Sequence, residues 1–303
     1  MRISRWGWSR YETSEGLAAE AKALGMLLDV RPPREDAEII VVNSGTRVDQ
    51  ALLEMAPSAR LCVTNTSGSD HLDLQHLVAR GVRAARLPIA RRDAVVESSL
   101  WGIIHGLRRH SELLQGAREG AWLRGEMVKL EMKQLSGSVV AVVGLGVIGV
   151  RMVEVLTTLG ASVVGVDPRV QLPGLTAMTL AEAAAEADVI TLHCGMEPGN
   201  RHLVDDALLA SVQPGAVLVN TARGGLVDWE AARAALDSGR LSAMAVDVYP
   251  HEPWCEMEAS RGLMLTPHSA GFHQGLSEAL THELVETVRC FLGGRALPYE
   301  LGA

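Results

Sequence analysis

Aromatic residues are scarce in this chain: 2 Phe, 3 Tyr and 6 Trp, or 4% of 303 residues. Its cores must therefore be built from Val, Leu, Ala and Ile. Cysteine is sparse too. The 4 present, Cys62, Cys194, Cys255 and Cys290, form no CxxC pair, which excludes a disulfide framework or zinc knuckle and predicts reduced thiols. Long apolar runs are missing. The longest, residues 139–150, is broken by glycines and too short to span a bilayer. The opening MRISRWGWSRYE carries no signal-like apolar stretch, so the expectation is a cytoplasmic protein. Positive charge is in deficit, with 28 Lys+Arg against 36 Asp+Glu and a net charge of −8. The bases are scattered arginines, a poor match to nucleic acid. His251 with Cys255 and His268 with His273 are isolated pairs rather than a four-ligand spacing, so no metal is expected.

What is present is a 48% hydrophobic, 21% charged composition, ordinary for a globular protein of two domains. Between residues 138 and 267 short apolar runs alternate with helical patterns: SVVAVV (138–143), SVVGVD (162–167), DVITLH (188–193), AVLVN (216–220), SAMAVD (242–247) and LMLT (263–266). Each is continuously apolar, as strands buried on both faces of a parallel sheet should be. Helical spacing fills Val147–Leu159, Leu180–Ala187, Asp206–Val212 and Trp229–Ser238. This α/β pattern predicts a doubly wound parallel sheet, the Rossmann nucleotide-binding arrangement. The first hundred residues alternate more weakly, with strands near 2–6, 26–30, 38–42, 60–64 and 82–86 and helices near 14–24, 47–56 and 73–80. That predicts a second, smaller flavodoxin-like open α/β unit. One long helix is expected over Glu97–Gln115 and another over Gln274–Leu292. The tail is expected to return to the N-terminal unit. The division is then 1–96 plus 273–303 for a discontinuous substrate domain and 97–272 for the dinucleotide domain.

GLGVIG follows a strand and opens a helix, the setting in which this motif is informative. Gly144 permits the tight turn, Gly146 lets backbone approach a pyrophosphate, and Gly149 lets helix and strand pack closely. Amides at the helix start, around Val147 and Ile148, stabilise phosphates. Asp167 closes the next strand, where a carboxylate binds ribose hydroxyls and repels a 2′-phosphate, favouring NAD over NADP. Arg169 nearby keeps NADP open. Downstream come TARGG with Arg223, DVYPHEP with Asp247 and Glu252, and TPHSAG with His268. Arginine grips a planar carboxylate with two prongs, histidine is the natural proton donor near neutrality, and a carboxylate on the far imidazole nitrogen keeps that ring charged. Singly, each residue is more often structural: an ion-pairing arginine, a solvated acid, a hydrogen-bonded histidine. Their joint order at successive strand ends favours chemistry.

These motifs closely resemble the D-isomer-specific 2-hydroxyacid dehydrogenase family. The likeness runs through LSGSVVAVVGLGVIG, DVITLHC, LVNTARGGLVD, AVDVYPHEP and LTPHSAG, and more loosely through NTSGSDHLDL and AVVES. It implies NAD-dependent hydride transfer between a 2-hydroxy acid and a 2-keto acid, with Arg223, Glu252 and His268 as the catalytic trio. It also implies cofactor contacts at His193, Cys194, Thr221, Ala222, Arg223, Asp247, His268 and Gly271. Asp247 would hold the nicotinamide carboxamide. Substrate contacts are implied at Ser67, Gly68, Arg223 and His268, and members are usually homodimers joined through the nucleotide domain. Some 140 residues precede the glycine turn, unlike the L-lactate and malate dehydrogenases. Glu252 stands where formate dehydrogenases resemble a Gln.

There are departures. Val147 stands where members carry Arg, and Gly195 where they often carry Pro, which predicts a looser loop. Arg91–Arg92 replace small residues. Arg91 in the cleft would imply a second negative group on the substrate, such as a phosphate or carboxylate, whereas a solvated pair is the plainer reading. Trp6 and Trp8 are candidates to line the substrate side chain, or equally to pack in a core or interface, and Trp254 is a candidate to cap the pocket. Leu100, Ile103, Ile104 and Leu107, with Trp101 and His105, are a candidate subunit contact. Two rivals remain open: an NAD(H)-sensing protein like the corepressors that share this fold and trio, and a dehydrogenase of an inorganic oxyanion such as phosphite.

Overall fold

In a computed structural model, which describes residues 2–6, 22, 27–29, 35–255 and 261–302, the apolar runs become parallel strands. The chain divides into two units, Met1–Arg92 with Phe272–Ala303, and Asp93–Gly271. Glu97 and Phe272 were the boundaries expected for the second.

The first unit holds β1 (Arg2–Trp6), β2 (Leu27–Asp29), β3 (Ile39–Val42), β4 (Leu61–Thr64) and β5 (Arg83–Arg86). They pair in parallel in the order β5-β4-β3-β1-β2. That is the flavodoxin-like order. β13 (Glu300–Leu301) adds an antiparallel edge on β5. Successive side chains of β3 enter different cores, as a strand covered on both faces requires. Ile39 and Val41 pack with Leu276, Leu280, Leu284 and Val288 of α9 (Leu276–Leu292). Ile40 and Val42 pack with Leu52 and Leu53 of α1 (Gln50–Met55) and Leu77 of α2 (Leu74–Ala79). Trp6 lies against this second core, which makes it a packing residue. Trp8 and the helix expected near 14–24 fall outside the described residues.

The second unit holds β6 (Val139–Val143), β7 (Ser162–Val166), β8 (Thr176–Ala177), β9 (Val189–Leu192), β10 (Ala216–Asn220), β11 (Leu241–Val246) and β12 (Leu263–Leu265). All are parallel, in the order β12-β11-β10-β9-β6-β7-β8. The strand order reverses beside β6, the switch point where such sheets bind ligands. β8 is an addition. Two residues, one of them Thr, leave no apolar run to detect.

On one face Ala141 and Val143 pack with Ala183 of α6 (Leu180–Glu186), Leu209 of α7 (Asp206–Ser211) and Ala232 of α8 (Trp229–Asp237). On the other, Val140 and Val142 pack with Met152 and Leu156 of α5 (Val147–Thr158) and with Ile103 and Leu107 of α3 (Ile89–Leu107). Glycines let α3 lie close. A Cβ on Gly102 would stand 2.7 Å from Ala245 Cβ, and one on Gly106 2.6 Å from Val217 Cγ1.

Two expectations fail here. The single helix over Glu97–Gln115 is instead α3, which starts at Ile89, and α4 (His110–Arg118). Arg109 between them has φ 54, and its guanidinium donates to the Ser242 carbonyl at 2.8 Å and meets Glu112 at 2.6 Å. A long-range anchor breaks the helix where neither Gly nor Pro marks a stop. The apolar stripe read as a subunit contact also splits: Ile103 and Leu107 are buried in their own core, whereas Trp101 is 47% exposed.

Candidate active site

The glycine turn behaves as its spacing predicts. Gly144 has φ 95, and a Cβ there would stand 2.6 Å from the Cys194 amide nitrogen. A Cβ on Gly149 would meet the Gly144 carbonyl at 1.8 Å, so only glycine allows α5 this close to β6. Around Gly146, the residue that caps α5, nothing lies within 4 Å of the same position. Val147 and Ile148 begin the helix, whose first amides have no intrahelical acceptor by geometry. The turn therefore offers open backbone and a positive helix end, which fits a dinucleotide pyrophosphate.

Asp167 stands just beyond β7. Its Oδ2 accepts from the Leu145 amide at 2.8 Å, and Oδ1 from Arg169 and Val170 at 2.9 and 3.0 Å. Burial opposes its charge, but these amides and Arg169 outweigh it and hold the carboxyl below its ordinary range. Asp167 thus ties the glycine turn to the adjacent strand end and keeps its charge there. Arg169 is held by Glu197 at 2.5 Å.

His193 follows β9, its Nε2 2.9 Å from Thr191 Oγ1. Burial pushes it down to about 4, so it is neutral at working pH. Burial pushes the Cys194 thiol up to about 11, and the Cys194 backbone lines Gly144. The looser loop expected at Gly195 is instead tied. Asn200 donates to the Gly195 carbonyl at 2.8 Å and accepts from the Glu197 amide at 2.8 Å.

β10 delivers the arginine turn. Asn220 accepts from the Ala222 amide at 3.0 Å and donates to the Arg223 carbonyl at 2.9 Å, while Thr221 Oγ1 lies 2.7 Å from Ser99 Oγ. The Arg223 guanidinium donates to Ala222 O at 2.7 Å. Gly224 is a requirement the sequence reading passed over: a Cβ there would stand 1.9 Å from the Tyr249 carbonyl oxygen. The doubled glycine of TARGG and the Asx-type turn at Asn220 were the available signals.

β11 and β12 deliver the rest. Asp247 is 2% exposed. Its Oδ1 accepts from Thr266 Oγ1 at 2.7 Å and the Ser269 amide at 2.8 Å, and its Oδ2 from the Ala270 amide at 2.9 Å. These bonds shape the loop that ends at Gly271. Within that loop His268 has φ 52, a left-handed conformation costing a non-glycine residue about 1–2 kcal/mol. Its Nδ1 lies 2.6 Å from Glu252 Oε2, and Glu252 Oε1 accepts from the Tyr249 amide at 3.2 Å. The Glu252 hydrogen bond raises the His268 pKa against partial burial and the nearby Arg223 charge. Burial opposes ionisation of Glu252, but His268, the Tyr249 amide and Arg223 hold it below its ordinary range. Glu252 and His268 are thus in direct contact, with Arg223 within electrostatic reach of both.

The remaining candidates have contacts of their own. Trp254 stacks on Tyr249 at 5.4 Å and meets Trp229 edge-on at 5.1 Å, which commits that face to an aromatic cluster. Ser67, Gly68 and Arg91 belong to the first unit. The Ser67 carbonyl accepts from Arg86 at 2.8 Å, the Gly68 carbonyl from Thr66 Oγ1 at 2.8 Å, and Arg91 lies over the Phe272 ring at 5.3 Å. Among the described residues no group of three or more His, Cys, Asp or Glu is placed to hold a metal.

Fold and site together define a dinucleotide-binding protein of the doubly wound class carrying a histidine–carboxylate pair beside an arginine. A family model, D-isomer specific 2-hydroxyacid dehydrogenase, NAD binding domain, matches residues 100–270, and the chain belongs to that family. It is 31% identical over 271 residues to D-3-phosphoglycerate dehydrogenase of Mycobacterium leprae, covering 87% of this chain and 51% of that one. It is 34% identical over 244 residues to erythronate-4-phosphate dehydrogenase of Pseudomonas aeruginosa, covering 78% and 58%. The chain thus spans little more than half the length of these curated relatives. The solved structure of D-2-hydroxyisocaproate dehydrogenase superposes with a TM-score of 0.82 at 22% identity, covering 100% of both chains, a likeness of fold.

The electrostatics of the pair give an expected outcome. Glu252→Gln removes the charge that favours imidazolium, so the NMR titration of His268 should move down to or below the ordinary histidine value of about 6.5. An unmoved titration would contradict the pairing.

Proposed function

We propose that this protein is a cytoplasmic NAD-dependent D-2-hydroxyacid dehydrogenase, working as a 2-keto acid reductase. The observation that carries the reading is the His268–Glu252 contact of 2.6 Å, raised in pKa and beside Arg223. When bound, NAD(H) supplies the hydride to the substrate C2 in reduction and accepts it in oxidation. Gly144, Gly146, Val147, Ile148 and Gly149 hold its phosphates. Asp167 holds its ribose hydroxyls, and with Arg169 engaged by Glu197 the preference is for NAD over NADP. His193, Cys194, Thr221, Ala222, Asp247 and Gly271 border the nicotinamide.

The chain's own chemistry is charge placement and proton transfer. Arg223 grips the substrate carboxylate with two prongs and polarises the C2 carbonyl. His268 donates its proton to the forming alkoxide and takes it back in oxidation. Glu252 orients the ring and keeps it protonated. Ser67 and Gly68 are the carboxylate contacts of the first unit, and Arg91 is its candidate for a second anionic group on the substrate, a charge that the phosphorylated names of both relatives favour. The assembly in this reading is a homodimer through the second unit. Trp101, Leu114, Trp122 and Val128, exposed by 47, 50, 86 and 91%, all fall between residues 101 and 128. No helix of the described residues is long and apolar enough to cross a membrane.

The test is NADH oxidation against glyoxylate, hydroxypyruvate, pyruvate, bulky aliphatic keto acids and phosphorylated or dicarboxylic ones, for the protein and its His268→Gln variant. Turnover with at least one acid is expected, and the variant should lose about a hundredfold or more in kcat while still binding NADH. Tight NADH binding without turnover on any acid, or a fully active variant, would contradict the reading. Light scattering should give the mass of two chains, and a monomer would contradict the assembly.

A further inference from the structure

One buried residue touches the support of every member of the proposed trio. Tyr249 is 5% exposed. Its amide donates to Glu252 Oε1 at 3.2 Å. Its hydroxyl donates to the Thr266 carbonyl at 2.8 Å, with Val246 O farther off at 3.4 Å. The same Thr266 carbonyl accepts from the His268 amide at 3.1 Å, so the phenol and the left-handed histidine share one oxygen. The Tyr249 carbonyl packs against Gly224, the residue after Arg223, closely enough to exclude any side chain there. Its ring stacks on Trp254 with an interplanar angle of 10° and meets Trp229 edge-on at 6.2 Å. Burial, with Asp247 and Glu252 adding to it, pushes the phenol up to about 12, so the hydroxyl remains a donor.

Packing alone would be served by phenylalanine, since the stacking uses only the ring. The hydroxyl does something else. It reaches across from the turn after β11 to the loop after β12, and it fixes the carbonyl from which the strained His268 backbone hangs. We propose that Tyr249 is a positioning residue: its hydroxyl pins Thr266 and thereby holds the His268 imidazole against Glu252. The proposal rests on the reductase reading for its kinetic consequence, whereas the geometric consequence stands without it.

The test is Tyr249→Phe in the full chain, which removes one oxygen and keeps the ring and the amide. The expected result is a kcat lower by on the order of tenfold, with KM for the keto acid and Kd for NADH unchanged. The NMR titration of His268 should also move down toward the ordinary histidine range as contact with Glu252 loosens. Trp254→Leu, which frees the ring without touching the hydroxyl, should move both readouts in the same direction by less, and it decides the matter if the first variant does not fold. An unchanged kcat with an unmoved His268 titration would overturn the proposal, as would a loss of thermal stability alone. If the unmodified protein turns over no keto acid, the reductase reading fails, and the titration comparison still judges Tyr249.

Discussion

The contact between His268 Nδ1 and Glu252 Oε2 at 2.6 Å is the constraint around which the site is arranged. It is held by a backbone that would not adopt this shape unaided. His268 sits at φ 52, and such strain persists only where the surroundings over-determine it. Here Thr266, Ser269 and Ala270, on either side of His268, are all bonded to the buried Asp247. The pair also has a defined pH window. His268 has a raised pKa, so its contribution to stability is present below the ordinary histidine value and is lost as pH rises through the raised one. Glu252 has a lowered pKa, so its contribution is present above the ordinary carboxyl value and is lost as pH falls through the lowered one. The pair is therefore strongest between those two limits.

Much of this was legible in the chain because parallel strands buried on both faces leave continuous apolar runs, and because glycine is forced by geometry. Gly144 and Gly149 are readable for that reason: one needs a left-handed backbone and the other leaves no room for a Cβ. Gly146 differs, since its neighbourhood is open and its meaning comes from what approaches it. The grouping of Arg223, Glu252 and His268 was expected from residue type and order at strand ends, and the contact between the last two is where that order puts it.

What escaped the sequence depended on contacts made at a distance. The break between α3 and α4 comes from Arg109 reaching Ser242, far along the chain. The two-residue strand β8 exists because β7 offers an edge, not because Thr176–Ala177 favours one. Gly195 suggested looseness, but Asn200 closes that loop with two bonds. Asp247 was expected at the cofactor by resemblance, whereas the bonds its carboxylate makes anchor the histidine loop. Tyr249 was passed over because an aromatic residue beside a strand end ordinarily signals packing.

The proposed reduction makes one chemical demand, an acid that remains protonated while facing a cation. Arg223 works against this by lowering the pKa of His268, and Glu252 more than offsets it. The most direct test is the single-turnover rate of NADH oxidation by a keto acid substrate as a function of pH. With His268 as the proton donor, the rate is flat through neutrality and falls on the alkaline side with a midpoint above the ordinary histidine value. A rate that does not change across that range, or one that falls as pH drops below neutrality, would contradict it.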